Sequence, residues 1–361
     1  MTTTYSDLKS EGWRRKPPPA SGERSMDVCL LSCARNCGHH LRDWFIYHRA
    51  IGITAFYMVD HQPSEDDTSN IIREHADVVL VKSGPFKESD WFLELCLLAT
   101  TDGAAVIFAN DTDEFLCGNG APFKQRVEET LASAAKPAKH LMTPGFNMVP
   151  LVDDTNWRNQ IYARPNKLWT GKSALYIPPR GHVRVVSGGQ HYLRTLPYVP
   201  IETCPKRTRV DIVSPLAPHL FPIYYLHFTF HGSAAYLRRI RTMLLTPENA
   251  RQMVVRYGKG LVNEERRLKG GANQEDIDVL ARFVANDDDA EAIELYRQAV
   301  RSSLISACEV RSDVAQYFGF ANGDEKWDNQ THKDALLRWG LPEDRLVGLQ
   351  FPIKTRAEDI M

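Results

Sequence analysis

Residues 104–116 read AAVIFANDTDEFL, an apolar run of strand length that ends in three carboxylates. The apolar part, Ala105–Phe108, is too short for a helix of its own and too continuous for a strand with one face in water. It therefore predicts a strand buried on both faces, and such strands belong to parallel sheets that are covered by helices. The stretch predicts an α/β protein with this strand near its centre.

Two aspartates, Asp111 and Asp113, follow the apolar run. If the backbone stays extended past Asn110, both project to the same side, while Glu114 points away. Two carboxylates that converge on one point repel each other unless a cation lies between them, and a hard divalent ion such as Mn²⁺ or Mg²⁺ suits that position. A bare D-x-D also occurs in solvated turns and helix N-caps, so its interpretation depends on the residues upstream.

The residues upstream predict further β-α units. Apolar strands are predicted at 28–34, 53–59 and 77–82, and helices at 40–50, 64–74 and 91–100. This alternation, with right-handed crossovers, predicts a Rossmann-like, mostly parallel sheet. Arg35 and Asn36 follow the first strand, and Asp60 ends the second. We expect these side chains at the same carboxyl edge of the sheet as Asp111, where ligands of open α/β sheets bind.

Composition limits the classes of function. The 361 residues include 44 basic and 45 acidic side chains, a net charge of -1, which gives no support to nucleic-acid binding through phosphate neutralisation. The seven cysteines are odd in number and scattered, and no apolar stretch is typical of a secretory signal or a membrane span. We therefore expect a cytoplasmic protein without a transmembrane segment.

Three regions are predicted along the chain. Residues 1–25 contain basic residues and three consecutive prolines with almost no apolar periodicity, so we expect a mobile tail that could also contact anionic lipid. Residues 26–232 are the predicted catalytic domain. Residues 233–361 are a predicted helical extension, with helices expected at 235–244, 274–285, 290–309 and 331–339.

Several short motifs occur in an order and spacing that resemble those of glycosyltransferase family 2 relatives. They are ARN at 34–36, DWFIYH at 43–48, Gly52, YMVD at 57–60, Ser64 and NDTDEFL at 110–116, and more loosely GKS at 171–173, His191 and LHFTFH at 226–231. The resemblance implies a GT-A nucleotide-diphospho-sugar transferase fold. It also implies that Asp111 and Asp113 bind the metal and the diphosphate, while Asp60 and the Arg35-Asn36 turn contact the nucleoside.

The chain also departs from the pattern of that family. Cys37, Asp43, His61 and Phe228 stand where the family usually has Glu, Glu, Asn and Tyr. The nucleoside side of the site is affected more than the metal side, because Cys37 lacks a carboxylate. The base and the sugar stay open, so UDP-, GDP- and dTDP-sugars are all candidate donors, and glycans, lipid-linked sugars and small molecules are candidate acceptors.

Further candidate site residues lie downstream. Asp153 or Asp154 could remove the proton of the acceptor hydroxyl in an inverting transfer, although a solvated turn explains this pair equally well. Lys172 could neutralise phosphate oxygens. His227 ends the apolar run FPIYYL, and a neutral imidazole there could bind manganese, although His231 is an equivalent candidate and a hydrogen bond within the core is the alternative.

Three functions fit these observations. The first is a metal-dependent, inverting glycosyltransferase that moves a sugar from a nucleotide-diphosphate donor to an acceptor hydroxyl. The second is a phosphatase of the haloacid-dehalogenase type, but its pattern requires Thr or Val where this chain has Phe115. The third is a catalytically inactive module that binds nucleotide-sugars.

Overall fold

The structure is a computed structural model that describes part of the chain. The described residues are 28–61, 64, 66–75, 78–84, 88–133, 139–149, 160, 162–165, 171–177, 184–189, 192–196, 222–229, 235, 293, 297, 300 and 308–309. The predicted tail at 1–25 and most of the predicted helical extension lie outside these residues. Among the described helices, none is both long enough and apolar enough to cross a membrane.

The described elements alternate between strands and helices in the first half of the chain. The strands are β1 (Val28–Ala34), β2 (Ala55–His61), β3 (Val78–Gly84), β4 (Val106–Ala109), β5 (Glu114–Gly118), β6 (Lys139–Thr143), β7 (Gly145–Val149), β8 (Tyr162–Pro165), β9 (Lys172–Tyr176), β10 (Arg184–Gly189), β11 (Tyr192–Leu196), β12 (Ile223–His227) and β13 (Cys308–Glu309). The helices are α1 (Gly38–Ala50), α2 (Thr68–Glu74), α3 (Glu88–Thr101) and α4 (Phe123–Ser133).

The first sheet has six strands in the order β3-β2-β1-β4-β9-β6. Strands β1 to β4 are parallel to one another, and β9 is antiparallel to both of its neighbours. The predicted α/β fold with a mostly parallel sheet is therefore confirmed. The chain passes from β1 to β2 and β3 on one side and then returns to place β4 on the other side of β1, so the topological switch point lies between β1 and β4.

The continuous apolar runs are explained by burial of the first sheet on both faces. Leu30 and Phe108 belong to the hydrophobic cluster that includes the apolar side chains of α1. Their neighbours along the strands, Leu31 and Ile107, belong to a second cluster that includes α3. Because successive side chains of a strand point to opposite faces, nearly every position of these strands is apolar, with the buried Ser32 of β1 as an exception.

A second sheet corrects two predictions. Its order is β13-β8-β7-β12-β5, so the residues after β4 do not continue the first sheet. The Glu114 N–H donates to the Asp111 carbonyl at 3.1 Å and closes a turn, and the expectation of extended backbone past Asn110 is therefore wrong. Cys308 and Glu309 pair with β8, although they were predicted to end a helix. Pairing with a distant strand outweighs local helical periodicity there.

Helix α1 holds the start of β5 through three side chains. The Trp44 Nε1–H donates to the Glu114 carbonyl at 2.9 Å, and the Tyr47 hydroxyl donates to the Leu116 carbonyl at 2.7 Å. The Leu116 N–H donates to His48 Nε2 at 3.3 Å, and His48 Nδ1 donates to the Trp44 carbonyl at 2.8 Å. These bonds fix the strand that directly follows the D-x-D turn, and they require a neutral His48.

We expect the free energy of unfolding to depend on pH through His48. Burial lowers the pKa of His48 to about 3, although its bond to the Trp44 carbonyl favours the charged form. Stability from the neutral imidazole is therefore present above pH 6.5 and is lost as pH falls toward 3, by about 2 kcal/mol between pH 7 and pH 5.

Urea unfolding of the wild type and of His48→Gln at pH 7 and pH 5 tests this prediction. His140, whose pKa burial lowers to about 4, contributes equally to both proteins and cancels in the comparison. The stability advantage of the wild type should shrink by about 2 kcal/mol at pH 5. An advantage that stays constant between the two pH values would contradict a buried neutral His48.

Candidate active site

The two aspartates lie in the turn between β4 and β5, next to the switch point. The Asn110 N–H donates to the Leu31 carbonyl at 3.1 Å, so the turn begins beside the middle of β1, three residues before that strand ends. The Asp111 side chain is 34 % exposed, and the Asp113 side chain is 10 % exposed. The Asp113 carboxylate is therefore mostly buried, and the Asp111 carboxylate is the more accessible to a ligand.

Lys172, at the start of β9, reaches the carboxylates from the first sheet. Its Nζ lies 2.7 Å from Asp111 Oδ2 and 3.4 Å from Glu114 Oε1. Burial by itself disfavours the ammonium, but the neighbouring carboxylates, Asp111 first and Glu114 next, offset it and raise the pKa of Lys172. The neighbouring carboxylates therefore favour the charged form of Lys172 within the site.

Glu114 is a site residue that the sequence did not predict. Its side chain is only 2 % exposed, and its Oε2 accepts hydrogen bonds from the Asp111 N–H at 2.9 Å and from Asn110 Nδ2 at 3.2 Å. Burial raises the pKa of Glu114 to about 7, against the opposite effect of Lys172. The turn directs this side chain inward, whereas extended backbone would have directed it away. The glutamate of the NDTDEFL motif was the available hint.

His227 lies at the end of β12, beside Asp113. Its Nε2 is 3.1 Å from Asp113 Oδ2, and the Phe228 N–H donates to the Asp113 carbonyl at 2.8 Å. The contact arises because β12 pairs with β5 and places His227 opposite Glu114. Within the described part of the chain, no group of three or more His, Cys, Asp and Glu side chains is arranged to hold a metal ion. Because they are in contact, Asp113 and His227 are a pair of candidate metal ligands, but they do not make a complete metal site by themselves.

The predicted nucleoside residues lie at the carboxyl ends of β1 and β2. These strands are adjacent, and Ala34 lies opposite Asp60. Asp60 is fully buried, and its Oδ2 lies 4.0 Å from Arg73 Nη2. Burial lowers the pKa of His61, and the nearby positive charge of Arg35 lowers it further. Arg35, Asp60 and His61 thus share one edge of the sheet.

Asn36 turns the chain after β1 with φ at 48°, in the left-handed region that asparagine tolerates better than most residues. Its N–H donates to Ser64 Oγ at 3.3 Å. Ser64 therefore supports the Asn36 turn, and α2 begins at Thr68 rather than at the predicted residue 64. Asp153, Asp154, His191 and His231 lie outside the described residues, so their predicted roles stay predictions.

The comparisons with known proteins are short or distant. No protein-family model matches the chain. Over 60 residues the chain is 33 % identical to a glycosyltransferase family 92 protein of Ricinus communis, and the match covers 17 % of this chain and 11 % of that protein. The chain therefore spans about a tenth of the length of this relative. Membership of glycosyltransferase family 2 stays a prediction.

Two solved structures show a distant similarity to the chain. TarS of S. aureus, in complex with UDP-GlcNAc, has a TM-score of 0.30 at 9 % identity and covers 78 % of this chain and 81 % of its own. A mannose-1-phosphate geranyltransferase from Thermus thermophilus has a TM-score of 0.24 at 12 % identity and covers 43 % of this chain and 51 % of its own. The fold class itself follows from the strand order of the first sheet.

Proposed function

We propose that this chain is a metal-dependent glycosyltransferase that uses a nucleotide-diphosphate sugar. One observation carries the proposal. At the switch point of a mostly parallel sheet, the fold brings together Asp111, Asp113, His227 and Lys172 from three separate segments. Ligands of open α/β sheets bind at this point, and the side chains match a diphosphate that arrives with a cation.

The side chains that could bind a metal are suited to a manganese or magnesium ion. Asp113 and His227 offer one oxygen and one nitrogen ligand 3.1 Å apart, and the carboxylate is a ligand type that suits manganese and magnesium. Such ions are often bound by one or two carboxylates, with the remaining ligands supplied by phosphates and water. When bound, the metal would act as a Lewis acid on the diphosphate. Asp111, being one-third exposed, is the third candidate ligand.

The other side chains supply the remaining requirements of the transfer. Lys172 adds a positive charge close to where the negative charge of the leaving nucleotide would develop. Asp60 and the Arg35-Asn36 turn would contact the nucleoside. Asp153 or Asp154 would remove the proton of the acceptor hydroxyl in an inverting reaction. A cytoplasmic location also belongs to the proposal.

Thermal denaturation with UDP-, GDP- and dTDP-sugars, each with and without manganese, tests the proposal. At least one donor should raise the melting temperature in the presence of manganese, because a ligand that binds only the native state stabilises it. Release of nucleoside diphosphate from that donor separates an enzyme from an inactive binding module. If none of the donors changes the melting temperature, the proposed function is wrong.

His227→Ala should increase the manganese concentration required for half-maximal rate by about tenfold or more. Even residues that only orient a metal ligand change metal affinity by about 10- to 100-fold. His231→Ala, the matched variant from the same motif, should change this concentration less. A manganese titration of both variants decides between them, and an unchanged requirement in a folded His227→Ala protein would remove His227 from the site.

A further inference from the structure

Three polar residues lie opposite one another on adjacent strands of the second sheet. His227 of β12 is opposite Glu114 of β5 and also opposite Asn147 of β7. Residues that are opposite each other on paired strands project from the same face of a sheet. We call Glu114, His227 and Asn147 the polar row. It continues from the buried carboxylates across three strands.

The neighbouring residues establish which face the polar row occupies. Phe146 packs edge to face against Tyr224, with ring centroids 5.5 Å apart, and both belong to the opposite, apolar face. Tyr225 lies over Gly145 on the face of the polar row, since a Cβ at Gly145 would be only 2.2 Å from the tyrosine ring. Tyr225 and Gly145 therefore lie on the same face as His227 and Asn147, two residues earlier along each strand.

His227 and Asn147 are both more exposed than Glu114. The Glu114 side chain is 2 % exposed, the His227 side chain is 17 % exposed, and Asn147 is half-buried. Asn147 lies one strand beyond the pair formed by Asp113 and His227, and Arg164 of β8 is opposite it on the other side. None of the residues that the structure describes forms a hydrogen bond with the Asn147 amide. Asn147 is adjacent to His227 and therefore to the proposed diphosphate site.

We propose that Asn147 binds a hydroxyl group of a sugar, on either the transferred sugar of the donor or the acceptor. The inference rests on the proposed function and extends it from the diphosphate to the sugar. A primary amide donates and accepts hydrogen bonds without adding charge, which matches the hydroxyl groups of a neutral sugar. A ligand whose phosphates lie at Asp113 and His227 would place its next polar groups along the row, toward Asn147.

The test compares each nucleoside diphosphate with its sugar derivative. Dissociation constants with manganese are measured for UDP and UDP-glucose, GDP and GDP-mannose, and dTDP and dTDP-glucose. The proteins are the wild type, Asn147→Ala and the control Gln125→Ala, which removes an exposed amide from α4. A second arm measures transfer to free monosaccharides relative to hydrolysis of the same donor.

If the donor sugar is the ligand, Asn147→Ala should bind the nucleotide-sugar about 3- to 10-fold more weakly and the nucleoside diphosphate equally well. If the acceptor is the ligand, donor binding should be unchanged and the ratio of transfer to hydrolysis should fall by a similar factor. Gln125→Ala should behave as the wild type in both arms.

Two results would overturn the inference alone. Equal weakening of nucleoside diphosphate and nucleotide-sugar would assign Asn147 to the metal and diphosphate, and no change in either arm would exclude it from the site. A wild type that binds none of the six compounds would overturn the proposed function as well. The behaviour of the wild type therefore distinguishes the two failures.

Discussion

Asp113→Ala should lower the rate of sugar transfer by about a thousandfold or more while the protein remains folded. Asp113 is the carboxylate that contacts His227, and a metal at this pair contributes several kcal/mol of charge stabilisation, each 1.4 kcal/mol being about tenfold in rate. Its backbone carbonyl, which accepts the Phe228 N–H, is kept by the variant, so the connection between the turn and β12 persists.

The measurement is release of nucleoside diphosphate from the donor that the wild type uses, with circular dichroism as the check on folding. Glu128→Gln is the matched control because Glu128 is an exposed carboxylate on α4, away from the D-x-D turn. Wild-type activity with excess chelator, or full activity of a folded Asp113→Ala protein, would contradict metal-dependent transfer through Asp113.

Lys172→Met should lower the free energy of unfolding by about 3–5 kcal/mol. Lys172 and Glu114 are both almost fully buried, and removal of one partner leaves the other charge buried without compensation. Chemical denaturation at pH 9 measures the loss, because Glu114, whose pKa is about 7, is charged there in the wild type. Lys124→Met, which changes an exposed lysine of α4, should stay within about 0.5 kcal/mol of the wild type.

A double variant identifies the cause of this loss. Lys172→Met combined with Glu114→Gln removes both buried charges, so it should recover part of the stability that Lys172→Met loses. Asp111 needs no such compensation because about a third of its side chain is exposed. If Glu114→Gln lowered the stability of the Lys172→Met protein as much as it lowers the stability of the wild type, that result would contradict charge compensation between Lys172 and Glu114.

Local sequence patterns were sufficient for the elements that form the first sheet. Helix α1 was predicted at 40–50 and occupies Gly38–Ala50, and β2 was predicted at 53–59 and occupies Ala55–His61. Such patterns are informative because burial of both faces of a strand, or of one stripe of a helix, constrains side chains that are close in sequence. The placement of Arg35, Asn36 and Asp60 at adjacent strand ends followed from this order.

The same local patterns predicted the strands of the second sheet less well. Its strands come from residues as distant as Glu114 and Cys308, and their pairing depends on register between segments that are far apart in sequence. Helical periodicity between 290 and 309 therefore gave no indication that the last two residues pair with β8. Non-local pairing, rather than intrinsic preference, decides such short strands.

The apolar run before Asn110 was enough to predict a buried strand followed by two carboxylates, because that prediction concerns neighbours in sequence. The direction of Glu114, by contrast, depends on a turn that only the pairing of β5 with β12 explains. Lys172 meets Asp111 across 61 residues, and His227 meets Asp113 across 114. Local sequence preferences cannot predict contacts between residues that are so far apart in the sequence. They result from the order and register of the two sheets, which depend on packing of the whole domain.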